Sequence, residues 1–109
     1  MIEVIDKGNG IFVIKIVLPE VHTLDVPNLK EKLNSAIKNN SIEKLILDLT
    51  DVKMITSSGI GIFLNINQNL SSQFILACAN DEVEKVLELT KVTTVIKLVP
   101  TIDDAISTF

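Results

Sequence analysis

Two adjacent hydroxyls, Ser57 and Ser58, stand between two apolar runs. Leu45-Ile46-Leu47-Asp48-Leu49 precedes them, and Gly59-Ile60-Gly61-Ile62-Phe63-Leu64 follows. The pattern predicts a buried strand, a short polar turn, and a helix that begins at Thr56 or Ser57. A kinase can reach a hydroxyl at such a junction. The positive end of the helix dipole and its free N–H groups are there to receive the resulting phosphate. Serines at strand-to-helix junctions also serve as plain helix caps. The bare pattern leaves both roles open.

Other chemistries fit less well. A Ser-His-Asp hydrolase would need His22, the single histidine, beside Ser57, with Asp25, Asp48 or Asp51 as the orienting carboxylate. The nucleophile elbow Gly-x-Ser-x-Gly is missing, since Ile55 stands where its first glycine belongs. A histidine in a surface loop is the simpler reading. Gly59 and Gly61 do not open a dinucleotide loop, because Leu64 holds the third glycine position and no Gly-Lys-Ser/Thr follows. They read as points where a partner's backbone or a neighbouring strand comes close. Ile60 beside them reads as an exposed apolar contact. Asp48 and Asp51 resemble the acidic strand end of a receiver domain, yet Val17-Leu18 is apolar where that fold needs its acidic pair. No His, Cys or carboxylate cluster has metal-ligand spacing. The expectation is a binding protein, not an enzyme, with neither metal nor cofactor.

The elements that position the serines follow from periodicity. Ile2 to Asp6 and Ile11 to Leu18 flank Gly8-Asn9-Gly10 and predict a hairpin. Val26, Leu29, Leu33, Ala36 and Ile37 recur at helical spacing, with Asp25 and Pro27 as the start signal and Asn39-Asn40-Ser41 as the stop. Lys44 to Leu49 is a strand, Ser57 to Asn69 a helix, and Phe74 to Cys78 a strand. Asn80-Asp81 caps a helix whose apolar face is Val83, Val86 and Leu87. Lys91 to Val99 holds the last strand. Thr101 and Asp104 have capping-box spacing before a short helix with Ile102, Ala105, Ile106 and Phe109 on one face. The order β-β-α-β-α-β-α-β-α predicts an α/β fold. Its sheet is mostly parallel, of four or five strands, with helices chiefly on one face and a mixed edge from the hairpin.

Length and composition agree. The 109 residues read as one domain, 1–109, large enough to bury a core without staples. The apolar fraction is 47%, with four Phe and no Trp or Tyr, so the core is aliphatic. The lone Cys78 has no partner for a disulfide and reads as a small buried hydrophobe. No apolar run reaches the ~18 residues of a membrane span, and Met1-Ile2-Glu3 does not resemble a signal peptide. A cytoplasmic monomer is expected. Ten basic against fourteen acidic residues give a net charge of −4. Without a basic stripe, nucleic acid is not an expected partner; other proteins are.

The segment from Leu45 to Leu64, with its Ser57-Ser58-Gly59-Ile60-Gly61 turn, resembles the signature of the STAS domain. The likeness is greatest to anti-sigma factor antagonists of the sporulation and stress-response type. It extends to Phe12 to Leu18, Pro19-Glu20-Val21 and the helix holding Leu29-Lys30-Glu31-Lys32-Leu33. The resemblance implies a STAS-like fold and a phosphorylation-controlled binding module. It implies that Ser57 is the phosphorylated residue. Thr56, Ser58, Gly59, Ile60, Gly61, Glu20 and His22 would then contact the partner. That partner would be an anti-sigma factor that is also a serine kinase, and a serine phosphatase would reset the cycle. Phosphorylation would dissociate the complex. A second role the family allows is a non-cycling scaffold or regulatory subunit of a larger signalling or transport assembly. Thr56 stands where the family usually has Asp. Pro19-Glu20-Val21-His22 stands where it usually has Gly-x-Leu-Asp.

Overall fold

A computed structural model of the chain describes residues 1–70 and 73–109. Ile2–Asp6 (β1) runs antiparallel to Ile11–Ile16 (β2), with Val4 opposite Ile14. The turn between them needs backbone that few side chains adopt: Gly8 and Gly10 have φ of 81° and 77°, and Asn9 has φ 55°. Asp6 fixes it by accepting the Gly8 N–H at 2.9 Å. Then β2 pairs in parallel with Lys44–Asp48 (β4), β4 with Phe74–Ala77 (β6), and β6 with Lys97–Val99 (β7). The five-stranded sheet has the order β1-β2-β4-β6-β7, mostly parallel with one antiparallel edge.

The central strands are apolar on both sides because both faces are covered. Ile14, Ile16, Leu45, Leu47, Phe74 and Leu76 point to one face. There they meet Leu29 and Leu33 of Val26–Asn39 (α1), Phe63 and Ile66 of Ser57–Leu70 (α2), and Val83 and Leu87 of Asp81–Leu89 (α3). Ile11, Val13, Ile46, Ile75 and Ala77 point to the other face. A smaller core forms there with Ala105, Ile102 and Ile106 of Ile102–Thr108 (α4). Three helices therefore lie on one face and one on the other, in line with the expected fold. Among the described residues, none of the buried ones is polar or charged, and no helix is long and apolar enough to cross a membrane.

Two local features differ from expectation. Asp25 does not close the start of α1 with its side chain. Its carboxylate instead accepts the backbone N–H of His22 at 2.9 Å, and a 3₁₀ turn, Thr23–Asp25, precedes the helix. Cys78 is half-buried and not a full core residue. Its φ of 66° turns the chain out of β6 and breaks the in-out alternation that would have buried it. Partial burial, reinforced by the nearby Asp48 carboxylate, pushes its thiol pKa above the ordinary value, although a hydrogen bond with Thr50 opposes the shift.

Candidate phosphorylation turn and partner surface

A second, two-stranded sheet holds the serine turn in place. Glu20–Val21 (β3) pairs in parallel with Met54–Ile55 (β5), Glu20 opposite Met54 and Val21 opposite Ile55. The Pro19 carbonyl accepts Lys53 N–H at 2.7 Å and Met54 N–H at 3.3 Å, and the Val21 carbonyl accepts Thr56 N–H at 3.1 Å. A hydrogen-bonded ladder thus joins Pro19–Val21 to Lys53–Thr56, at the foot of the serine turn. Strands of two residues leave no periodicity, so the sequence could not display them.

Helix α2 begins at Ser57, and Ser57 and Ser58 are both exposed. Asp48 and Asp51 serve the preceding loop. Asp48 Oδ1 accepts the Thr50 N–H at 2.9 Å, and Asp51 pairs with Lys15 at 3.4 Å. The first turn of α2 carries no acidic residue. Its positive end is therefore not neutralised by a carboxylate of its own. Thr56 is half-buried; its hydroxyl reaches the Val21 carbonyl at 3.3 Å and Ser58 Oγ at 2.9 Å. Ser58 Oγ also meets Thr23 Oγ1 at 2.8 Å, which joins the two loops through side chains.

The outward face of α2 reads Ser57, Ser58, Gly61, Leu64 and Gln68, all exposed. The two glycines have different jobs. A Cβ on Gly59 would stand 2.8 Å from Ile55 Cγ1 and 3.1 Å from Val21 Cγ1, so Gly59 lets the helix settle on the small sheet. A Cβ on Gly61 would meet nothing within 4 Å, so that position faces open space.

Ile60 corrects an expectation. It is 3% exposed and packs in the main core, so it cannot be an apolar contact for a partner. Residue 60 lies one helical turn from Ser57, so spacing alone does not bury it; the seating of Gly59 on Val21 and Ile55 turns it inward. The exposed apolar group at this site is Leu24, 91% exposed, on the 3₁₀ turn beside Thr23. Its sequence signal was its place two residues before Val26, off the face that Val26, Leu29 and Leu33 define. Met54, also partly exposed, lies on β5 opposite Glu20. Glu20 and His22 are both exposed and bond each other, Oε2 to Nε2 at 2.8 Å. The ring of His22 is thus engaged with a carboxylate of its own loop. A groove of about 450 Å³ lies elsewhere, between β1 and α1, lined by Met1, Ile2, Asn28, Glu31, Lys32 and Ser35. It shares no residue with the serine turn.

Comparison with known proteins agrees with this geometry. Residues 4–105 match the family model of the STAS domain. The chain belongs to the STAS domain family. A Thermotoga maritima protein named as an anti-sigma factor antagonist is 37% identical over 70 residues, which is 62% of this chain and 62% of that protein. The match therefore spans a little under two thirds of that relative's length. A crystal structure of an anti-sigma factor antagonist from Thermotoga maritima superposes with a TM-score of 0.79 at 26% identity, covering 98% of this chain and 91% of the other. One from Mycobacterium paratuberculosis superposes with a TM-score of 0.86 at 23% identity, covering 99% and 92%, and shares the fold.

Proposed function

We propose that this STAS domain is an anti-sigma factor antagonist, a binding module switched by phosphorylation of Ser57. The carrying observation is an exposed serine at the N-terminus of a 14-residue helix whose first turn holds no acid. Its relatives' names and the family signature support the same reading. The partner is an anti-sigma factor that is also a serine kinase. The contact surface is the outward side of Thr56–Gly61, continued by Glu20, His22 and Leu24 and without Ile60. The site of action is the cytoplasm, where nucleoside triphosphate is at hand.

In the transfer, the kinase moves the γ-phosphoryl of a nucleoside triphosphate to Ser57 Oγ. The bond to the leaving nucleoside diphosphate breaks, a P–O bond to Oγ forms, and the hydroxyl proton passes to a base on the kinase. The product carries about −1.5 to −2 charges at neutral pH. On this chain those charges meet free N–H groups and the helix dipole, so the fold tolerates them. A partner seated on the turn must desolvate and face a dianion, a penalty of several kcal/mol on the order set by burying unpaired charge. Serine phosphatase action on the free chain restores binding.

The test uses the kinase-type anti-sigma factor and purified variants. Ser57→Ala is expected to bind it constitutively, and Ser57→Asp to bind at least tenfold more weakly. Mass spectrometry should find phosphate on the Ser57 peptide of the native chain. Equal affinity of the two variants would move the switch elsewhere.

A further inference from the structure

The three hydroxyls around the serine turn have a direction. The Val21 carbonyl can only accept, so Thr56 donates to it. Thr56 Oγ1 has one proton and cannot also donate to Ser58. The 2.9 Å contact between them is therefore donated by Ser58. Ser58 has then used its own proton, so the 2.8 Å contact with Thr23 is donated by Thr23. The chain runs Thr23 to Ser58 to Thr56 to the Val21 carbonyl, with every hydroxyl proton placed. It starts and ends on the segment that bears Leu24, and passes through the N-terminus of α2. Where the family signature usually has Asp, an acceptor-only side chain would stop the chain at residue 56. Thr56 carries it on to β3.

We infer that Thr23, Ser58 and Thr56 form a directed hydroxyl relay that positions the Leu24 turn against the start of α2 and withholds Ser58 from phosphoryl transfer. This rests on the reading of Ser57 as the switch only for its second half. Thr23, Ser58 and Thr56 are positioning residues: they hold the two loops in register through one another. Phosphorylation of Ser58 would replace the proton it donates to Thr56 and open the relay, whereas Ser57 stands outside it.

Amide hydrogen exchange on the isolated chain tests the positioning. The reporters are the Asp25 amide, bonded to the His22 carbonyl at 2.9 Å, and the Thr56 amide on Val21. In Thr23→Val and in Ser58→Ala these amides are expected to exchange roughly three- to tenfold faster, the factor one net hydrogen bond sets. Thr23→Ser keeps the hydroxyl and restores the native rate. The Val83 amide, capped by Asn80 on α3, stays constant and shows that the fold is intact. Unchanged Asp25 and Thr56 exchange in both variants would overturn the relay. The selectivity half is read by mass spectrometry after incubating Ser57→Ala with the kinase and ATP. No phosphate on Ser58 is expected, and labelling of Ser58 at the native Ser57 rate would overturn it. A kinase that labels neither serine of the native chain would defeat the proposed switch, and the exchange rates alone would then decide the relay.

Discussion

Helices α2 and α3 both follow a strand of the sheet system and start with polar residues, yet their first turns are built to opposite ends. At α3, Asn80 Oδ1 accepts the Val83 N–H at 2.8 Å, and Asp81, Glu82 and Glu84 crowd the first turn. The free N–H groups and the dipole are answered from within the chain. Helix α4 repeats the solution: Thr101 accepts the Asp104 N–H at 3.1 Å, and Asp103 and Asp104 supply the charge. At α2 the first turn is Ser-Ser-Gly-Ile, with no acid, and the nearby hydroxyls bind one another and the neighbouring strand. Two junctions complete their own electrostatics. The third leaves room for negative charge from outside, at the place where an exposed serine could receive it.

The largest effects should come from breaking the packing that aims α2. Ile60→Arg puts an unpaired charge into a 3%-exposed core position and should cost more than about 3 kcal/mol, seen as loss of cooperative thermal unfolding. Gly59→Ala drives a methyl to 2.8 Å from Ile55 and should cost about 1–3 kcal/mol in denaturant unfolding. Gly61→Ala, two residues on, meets open space and should be neutral or stabilising by up to about 1 kcal/mol. If Gly59 and Gly61 tolerate alanine equally, α2 is not clamped on the small sheet, and its serine is not aimed by it.

The five-stranded sheet was legible because Phe12–Ile16, Leu45–Leu49 and Phe74–Ala77 are mostly apolar runs bounded by turn residues, and because α1, α3 and α4 keep 3.6-residue spacing. The caps Asn80 and Thr101 were legible from their neighbours. The interior of the site was not. Helix α2 is apolar through most of its circumference, so Ile60 and Gly61 cannot be assigned to faces until Val21 and Ile55 are known to lie beneath Gly59. The small β3–β5 sheet that decides this consists of two two-residue strands, too short for any pattern. Leu24 was only partly legible: its place off the α1 face showed, but its exposure depends on the Thr23–Asp25 turn, which local bonds between His22 and Asp25 and the tertiary Thr23–Ser58 contact hold.

A smaller contrast separates the two kinds of junction. Asn80→Ala removes the acceptor for the Val83 N–H and should destabilise by about 1 kcal/mol, the usual value of an N-cap. Ser57→Ala, at an exposed first-turn position, should shift stability by less than about 0.5 kcal/mol, as surface changes do. Both are read from urea midpoints at constant slope. An Asn80→Ala effect no larger than that of Ser57→Ala would mean that α3 does not rely on its cap, and the comparison would lose its structural half.

The smallest effect carries the sharpest information, because its sign is the test. Ser57→Asp places one carboxylate on the first turn of α2, where α3 already has three acidic residues. A carboxylate there meets the positive end of the dipole and should raise stability by about 0.3–1 kcal/mol at low salt. The gain should shrink as salt rises towards 1 M, because the site is exposed and the screening length falls to about 3 Å. A further acid just past the first turn of α3, as in Lys85→Glu, should give no comparable gain: that turn is already negative, and like charges one helical turn apart repel. A stabilised Ser57→Asp that no longer binds the kinase would separate the two consequences of charge at this turn, support for the fold and exclusion of the partner. A destabilised Ser57→Asp would mean that the start of α2 does not welcome an anion. The folded chain could not then hold a phosphate there without loss.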